Sequence, residues 1–162
     1  MKKTLNAPKH THMSILRIAP ICNGKVYVVP HQSNPMGNYF FDIPIQEEIH
    51  GNPTNSSKIV QKLKERFHLH FHTNEQPRFC IQHKMKSDTI YLYILPLRQE
   101  EDIHFSHGKF MSLKEMLENK ESLSQCLQKE SEFLGMAAEL WQDFYEQTNN
   151  DYQQIINTSE SF

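Results

Sequence analysis

The chain has 162 residues, which suits one domain with a core large enough to fold unaided. It is 38% hydrophobic and 22% charged, with a formal net charge of −2. That balance excludes the strongly basic character of a nucleic-acid binder, and no apolar run is long enough to span a bilayer.

Residues 1–13, "MKKTLNAPKHTHM", carry two early lysines but no apolar run behind them, so they read as a polar arm and not as a signal peptide. The domain proper is expected over 14–148, followed by a polar C-terminal tail over 149–162. Cys22, Cys80 and Cys126 are odd in number and form no CxxC pair, which points to reduced thiols in the cytoplasm.

Within the domain, "SILRIAPIC" and "KVYVVPH" are β-rich runs separated by Asn23-Gly24. Both turn positions tolerate positive φ, so a hairpin is predicted. "QSNPMGN" reads as a loop and "YFFDIPI" as a short strand ending at Pro44. "QEEIHGNPTNSS" is expected to be a loop leading into a helix over "KIVQKLKERFHL", with Asn52 as cap and Pro53 at the first helical position. Ile59, Leu63 and Phe67, spaced by four, with Val60 beside them, give that helix an apolar face.

"RFCIQHKM" and "TIYLYILPL" predict two strands around Lys86-Ser87-Asp88. The second is apolar on both faces and suits a central position. "GKFMSLKEMLENK" reads as a strand end running into a helix capped by Ser112, with Glu115 at capping-box spacing. From Glu121 to about Gln147 a longer helix carries Leu123, Leu127, Leu134, Ala137, Trp141 and Phe144 on one stripe, with Gly135 marking a bend or a close helix contact. The order describes an α+β domain with a mixed sheet between helices.

Three local patterns in that order resemble the Nudix (MutT-like) family. "FFDIP" is similar to the aromatic-Asp-x-Pro strand before the family's catalytic loop, "GNPTNSSKIVQKLKERFHL" to the second half of its signature box, and "GKFMSLKEML" to its aromatic-x-Ser-x-x-Glu-Leu segment. The resemblance runs from about Ser14 to about Gln147 and implies a Nudix-like α/β/α sandwich. In the family, glutamates of GX5EX7REUXEEXGU hold Mg²⁺ against a substrate diphosphate, since Mg²⁺ prefers hard oxygen ligands.

Laid on this chain, REUXEEXGU becomes Gln61 to Leu69. Leu63 and Leu69 fill aliphatic positions and Glu65 matches one glutamate, but Lys62 and Arg66 stand at the other two metal-facing positions. The family's Gly-Gly after the proline is Ile45-Gln46 here. Two unit charges about 4 Å apart interact by about 4 kcal/mol at an effective dielectric near 20, so this exchange opposes Mg²⁺ binding. The resemblance therefore implies a degenerate box. The same residues also suit a plain solvated helix surface, with Glu65 pairing to Lys62 or Lys58.

Other groupings remain open. Glu47 and Glu48 before the helix offer carboxylates that could join Glu65 in a rebuilt metal site. His68, His70 and His72 share a face if "HLHFH" is extended, a spacing suited to Zn²⁺, although a satisfied or exposed histidine row is the better reading of the alternation with Leu69 and Phe71. Tyr91, Tyr93, His83 and Phe40 are candidates to line a ligand pocket on the sheet, alongside Lys62 and Arg66 for a phosphate.

Three functions fit: a catalytically silent ligand-binding, sensor or accessory module; a divergent hydrolase of nucleoside diphosphate derivatives; or an interaction domain. No cofactor is expected, with Mg or Mn required only by the hydrolase. The expected partners are a nucleotide-like or phosphate ligand, a protein, or a second copy of the chain, without membrane insertion or nucleic acid.

Overall fold

A computed structural model describes residues 12–32, 39–50 and 56–160, so the expected cap at Asn52 and Pro53 lies outside the described residues. Asn23 and Gly24 take φ values of 53° and 74°, the double positive φ of a tight type I′ turn. The turn folds β1 (Ser14–Cys22) onto β2 (Lys25–Gln32), with Cys22 opposite Lys25.

β1 is the spine of the sheet. Along one side it runs parallel to β6 (Asp88–Pro96), from Ser14 opposite Thr89 to Ile21 opposite Pro96. Its other side is divided: the first half pairs with β4 (Ile45–Ile49) and the last two residues pair with β2. β2 is divided in the same way, between β7 (Lys109–Met111) and β3 (Tyr39–Asp42). β5 (Arg78–Met85) closes the far edge against β6, giving the order β3-β2-β1-β6-β5. β6 is central, as its two apolar faces predict.

"IQEEI" corrects the sequence reading, which placed Gln46 onward in a loop. Ile45 and Ile49 alternate with polar residues and join Leu16, Ile18 and Leu63 on one face of the sheet, while the backbone completes the open edge of β1. The period-2 signal spans only five residues and is easily passed over.

α1 (Ser56–Arg66) packs on one face of the sheet, with Leu63 buried and Ile59 and Phe67 partly buried beside it. α2 (Leu113–Glu118) and α3 (Gln125–Glu160) cover the other. The Ser112 hydroxyl accepts from the Glu115 N–H at 3.1 Å and the Glu115 carboxylate accepts from the Ser112 N–H, the reciprocal cap that the sequence predicts. That bond to the backbone holds the Glu115 carboxyl below its ordinary pKa.

α3 starts later than expected, because a 3₁₀ turn at Lys120–Ser122 precedes it and the Ser124 hydroxyl accepts from the Leu127 N–H. It also runs on to Glu160, through residues expected as a polar tail. No glycine or proline interrupts 136–160, so nothing in the chain stops the helix there.

The α3-facing core holds Ala19, Ile21, Val26, Leu92, Leu127 and Leu134, and two charged residues, Arg17 and Glu130, are buried on the same side. Arg17 is fully buried. Its guanidinium donates to Glu130 on α3 at 2.7 Å, to Asp42 on β3 at 2.7 Å and to Gln46 on β4 at 2.6 Å. Burial alone would lower its pKa, but the Asp42 hydrogen bond and the charges of Glu130 and Asp42 hold it above the ordinary arginine value.

Arg17→Met should cost about 3–5 kcal/mol in urea unfolding, because it strands the buried Glu130 carboxylate and removes the partner of half-buried Asp42. A second expectation concerns Gly135, where a Cβ would stand 2.6 Å from the Leu113 Cβ at the α2–α3 crossing. Alanine in an open helix would gain about 1 kcal/mol. Here Gly135→Ala should instead lower the unfolding midpoint, since α2 must shift to admit the methyl group.

Candidate functional site

Successive helical residues turn by about 100°, so packing Ile59, Leu63 and Phe67 on the sheet fixes where the rest of α1 points. Lys62, Glu65 and Arg66 are all exposed, and Arg66 and Glu65 have different neighbours. Arg66 leans over β4, where its Nη1 lies 3.2 Å from Glu47 Oε1, and its guanidinium sits 5.4 Å from the Phe67 ring centroid. Glu65 instead lines an open concavity of about 610 Å³ with Val60, Gln61, Lys64, His68 and Gln76.

Strand alternation separates the two loop glutamates of the sequence reading. Ile45, Glu47 and Ile49 face α1, whereas Gln46 and Glu48 face the opposite side, where Gln46 meets Arg17. Glu48 thus points away from Glu65, and Glu47 is neutralised by Arg66. The structure does not bring these three carboxylates together.

The histidine row is also dispersed. "FHLH" forms a turn closing the helix, with the His70 N–H bonded to the Phe67 carbonyl at 2.8 Å, so the extended geometry that would align three imidazoles is absent. His68 Nδ1 lies 3.2 Å from the Glu65 carbonyl, His70 stacks on Phe105 at 4.3 Å, and His72 is exposed.

The aromatic group splits across the sheet. Tyr91 and Tyr93 lie on the α1 side, and Tyr93 meets Phe79 edge-on at 5.6 Å, while burial raises its pKa. His83, opposite Ile90, faces α3. Phe40 stacks on His31 at the far edge. No single pocket gathers them.

A different cluster forms under α3. His83 Nε2 lies 2.8 Å from Glu130 Oε2, and Cys126 Sγ lies 3.5 Å from the same oxygen. The Cys126 thiol is pushed up to about 12 by burial first, with Glu130 and Asp42 adding and Arg17 opposing. Sequence reasoning passed over Arg17 and Glu130. A signal existed: Glu130 falls on the apolar stripe between Leu127 and Leu134, and Arg17 interrupts an otherwise apolar strand. Each is a charge at a core position, which calls for the other.

Among the described residues no helix is long and apolar enough to cross a membrane. No family sequence model and no curated protein sequence matches the chain. Solved structures do. The C-terminal domain of mouse MUTYH, in its complex with human PCNA, superposes with a TM-score of 0.51 at 12% identity over 75% of this chain and 86% of that one. An ADP compounds hydrolase gives 0.51 at 13% identity, over 76% and 71%. The MutT protein from Methanosarcina mazei Go1 gives 0.50 at 10% identity, over 78% and 94%. What these proteins share with the chain is the arrangement of a mixed sheet between α1 and the α2–α3 pair: its fold is Nudix-like.

Proposed function

We propose that this domain does not carry out metal-dependent hydrolysis and serves as a ligand-binding, sensor or accessory module. One observation carries the reading: the helix that would present carboxylates to Mg²⁺ presents Lys62 and Arg66, and Arg66 is paired with Glu47, the strand carboxylate on that side. Glu65 is left with its side chain in an open, solvated concavity. A hard divalent ion needs several converging oxygens, and one exposed carboxylate beside two cations does not supply them.

Mn²⁺ titrated into the protein, with and without ADP-ribose, should give no tight binding by electron paramagnetic resonance. Tight binding lost in Glu65→Gln would sink this reading in favour of a divergent hydrolase. If the cationic face itself holds a phosphate group, Lys62→Glu with Arg66→Glu should weaken nucleotide binding by roughly tenfold or more, given about 1.5–3 kcal/mol per charge-assisted hydrogen bond. Unchanged affinity in calorimetry would place the ligand elsewhere.

A second reading, docking of a protein partner, is supported by α3. Phe133, Met136, Leu140 and Phe144 are 51%, 56%, 66% and 58% exposed, and their spacing sets them on one stripe of the helix. The MUTYH domain with the same fold is found in a complex with a protein, PCNA. If the stripe pairs two copies, sedimentation velocity should show concentration-dependent dimerisation that Leu140→Glu abolishes. A monomer at every concentration would leave only a different protein as its occupant.

A further inference from the structure

We infer that His83, Cys126 and Glu130 form a binding site for a borderline-soft divalent transition-metal cation of the Zn²⁺ type, on the face of the sheet opposite α1. Imidazole, thiolate and carboxylate are the ligand set such ions select, whereas Mg²⁺ prefers oxygen alone. Their ligand atoms all lie within 4.8 Å of one another, and among the described residues no other three His, Cys, Asp or Glu side chains come so close.

The fold builds the grouping from rigid elements. Cys126 and Glu130 stand one helical turn apart on α3 and so share a face. His83 projects from β5 to meet them, because its pairing with Ile90 puts it on the α3 side. The distances suit a tetrahedral ion. Zn–S and Zn–O bonds of about 2.3 and 2.0 Å imply an S···O edge of about 3.5 Å. The Cys126 Sγ to Glu130 Oε2 separation is 3.5 Å. The His83 to Glu130 separation of 2.8 Å is a hydrogen bond, and it need open by only about half an ångström once a cation lies between the two groups. His83 Nδ1 is buried with no hydrogen-bond partner among the described residues, so the ring is tethered at Nε2 alone and can turn to meet an ion.

Charge balance favours a cation there. Among the described residues the Arg17 guanidinium meets both Asp42 and Glu130, so these three groups together carry one more negative charge than positive. A divalent ion with the Cys126 thiolate makes up that deficit. On uptake the Cys126 thiol gives its proton to solvent, and His83 ligates through Nε2 in its unprotonated form. Arg17 does not block the site. Its shortest bond, 2.7 Å, is to Oε1 of Glu130, and although its Nε also lies 3.0 Å from Oε2, its charge is shared with Asp42. A ligating carboxylate with its second oxygen hydrogen-bonded is the usual outer-shell arrangement. His83 and Cys126 are both partly exposed and β5 is an edge strand, which gives the ion a way in and leaves room for water as the fourth ligand.

Chelator-treated full-length protein titrated with Co²⁺ should take up one ion per chain. It should show the near-ultraviolet thiolate-to-cobalt band with the visible bands of tetrahedral cobalt, and Zn²⁺ should displace both. Cys126→Ser should abolish the thiolate band, and His83→Gln should weaken uptake by roughly 10–100-fold or more while keeping a hydrogen-bonding group opposite Glu130. Circular dichroism confirms that each variant is folded, and if one is not, the other carries the test. Cobalt uptake without a thiolate band would mean binding at surface histidines and overturn the inference. A thiolate band that survives both substitutions would overturn it too, by moving the site to Cys22 or Cys80.

Discussion

The buried guanidinium of Arg17 is the constraint around which the sheet and its C-terminal layer are arranged. A cation with no access to water must be met by anions and polar groups from its surroundings. Here they come from three different elements: Asp42 on β3, Gln46 on β4 and Glu130 on α3. Each contact fixes the position of one element. The Gln46 contact sets the phase of β4, hence that Glu47 turns toward α1 and Glu48 away. The Glu130 contact sets the rotation of α3, hence that Cys126 and His83 lie beside the same carboxylate. The chemistry available on both faces of the sheet follows from one side chain between them.

That dependence explains why the two faces have opposite character. On the α1 side Lys62, Glu65 and Arg66 are exposed, and Arg66 pairs with Glu47. On the α3 side the excess charge is negative, and the nearby donors are imidazole and thiol. The two faces are the opposite sides of one sheet, so alternation along each strand decides which groups each of them receives.

Much of the fold was legible in the sequence because its signals were local. Asn23-Gly24 names its own turn, Ser112 and Glu115 name their own cap, and Ile59, Leu63 and Phe67 name the packed face of α1. What escaped depended on distant partners. β4 is recognisable as a strand chiefly because β1 has an unfilled edge, which no window of a few residues contains. The histidine row shows the complementary limit: alternation in "HLHFH" looks like a strand, but the preceding helix closes through Phe67 and bends the segment into a turn. Glu130 went unread because the partner that explains it, Arg17, lies 113 residues away.

That separation bears on how the chain is made. Arg17 leaves the ribosome 113 residues before Glu130, and β1 cannot be buried at low cost until Glu130 has followed it. The parallel pairing of β1 with β6 likewise waits for residues near 90. Long-range closures of this kind slow folding, and domains that need them stay incomplete while the C-terminal part is still being synthesised. Until α3 is complete, the nascent sheet keeps a charged strand at its centre and its apolar α3-facing side uncovered, the state in which a chain most needs a chaperone.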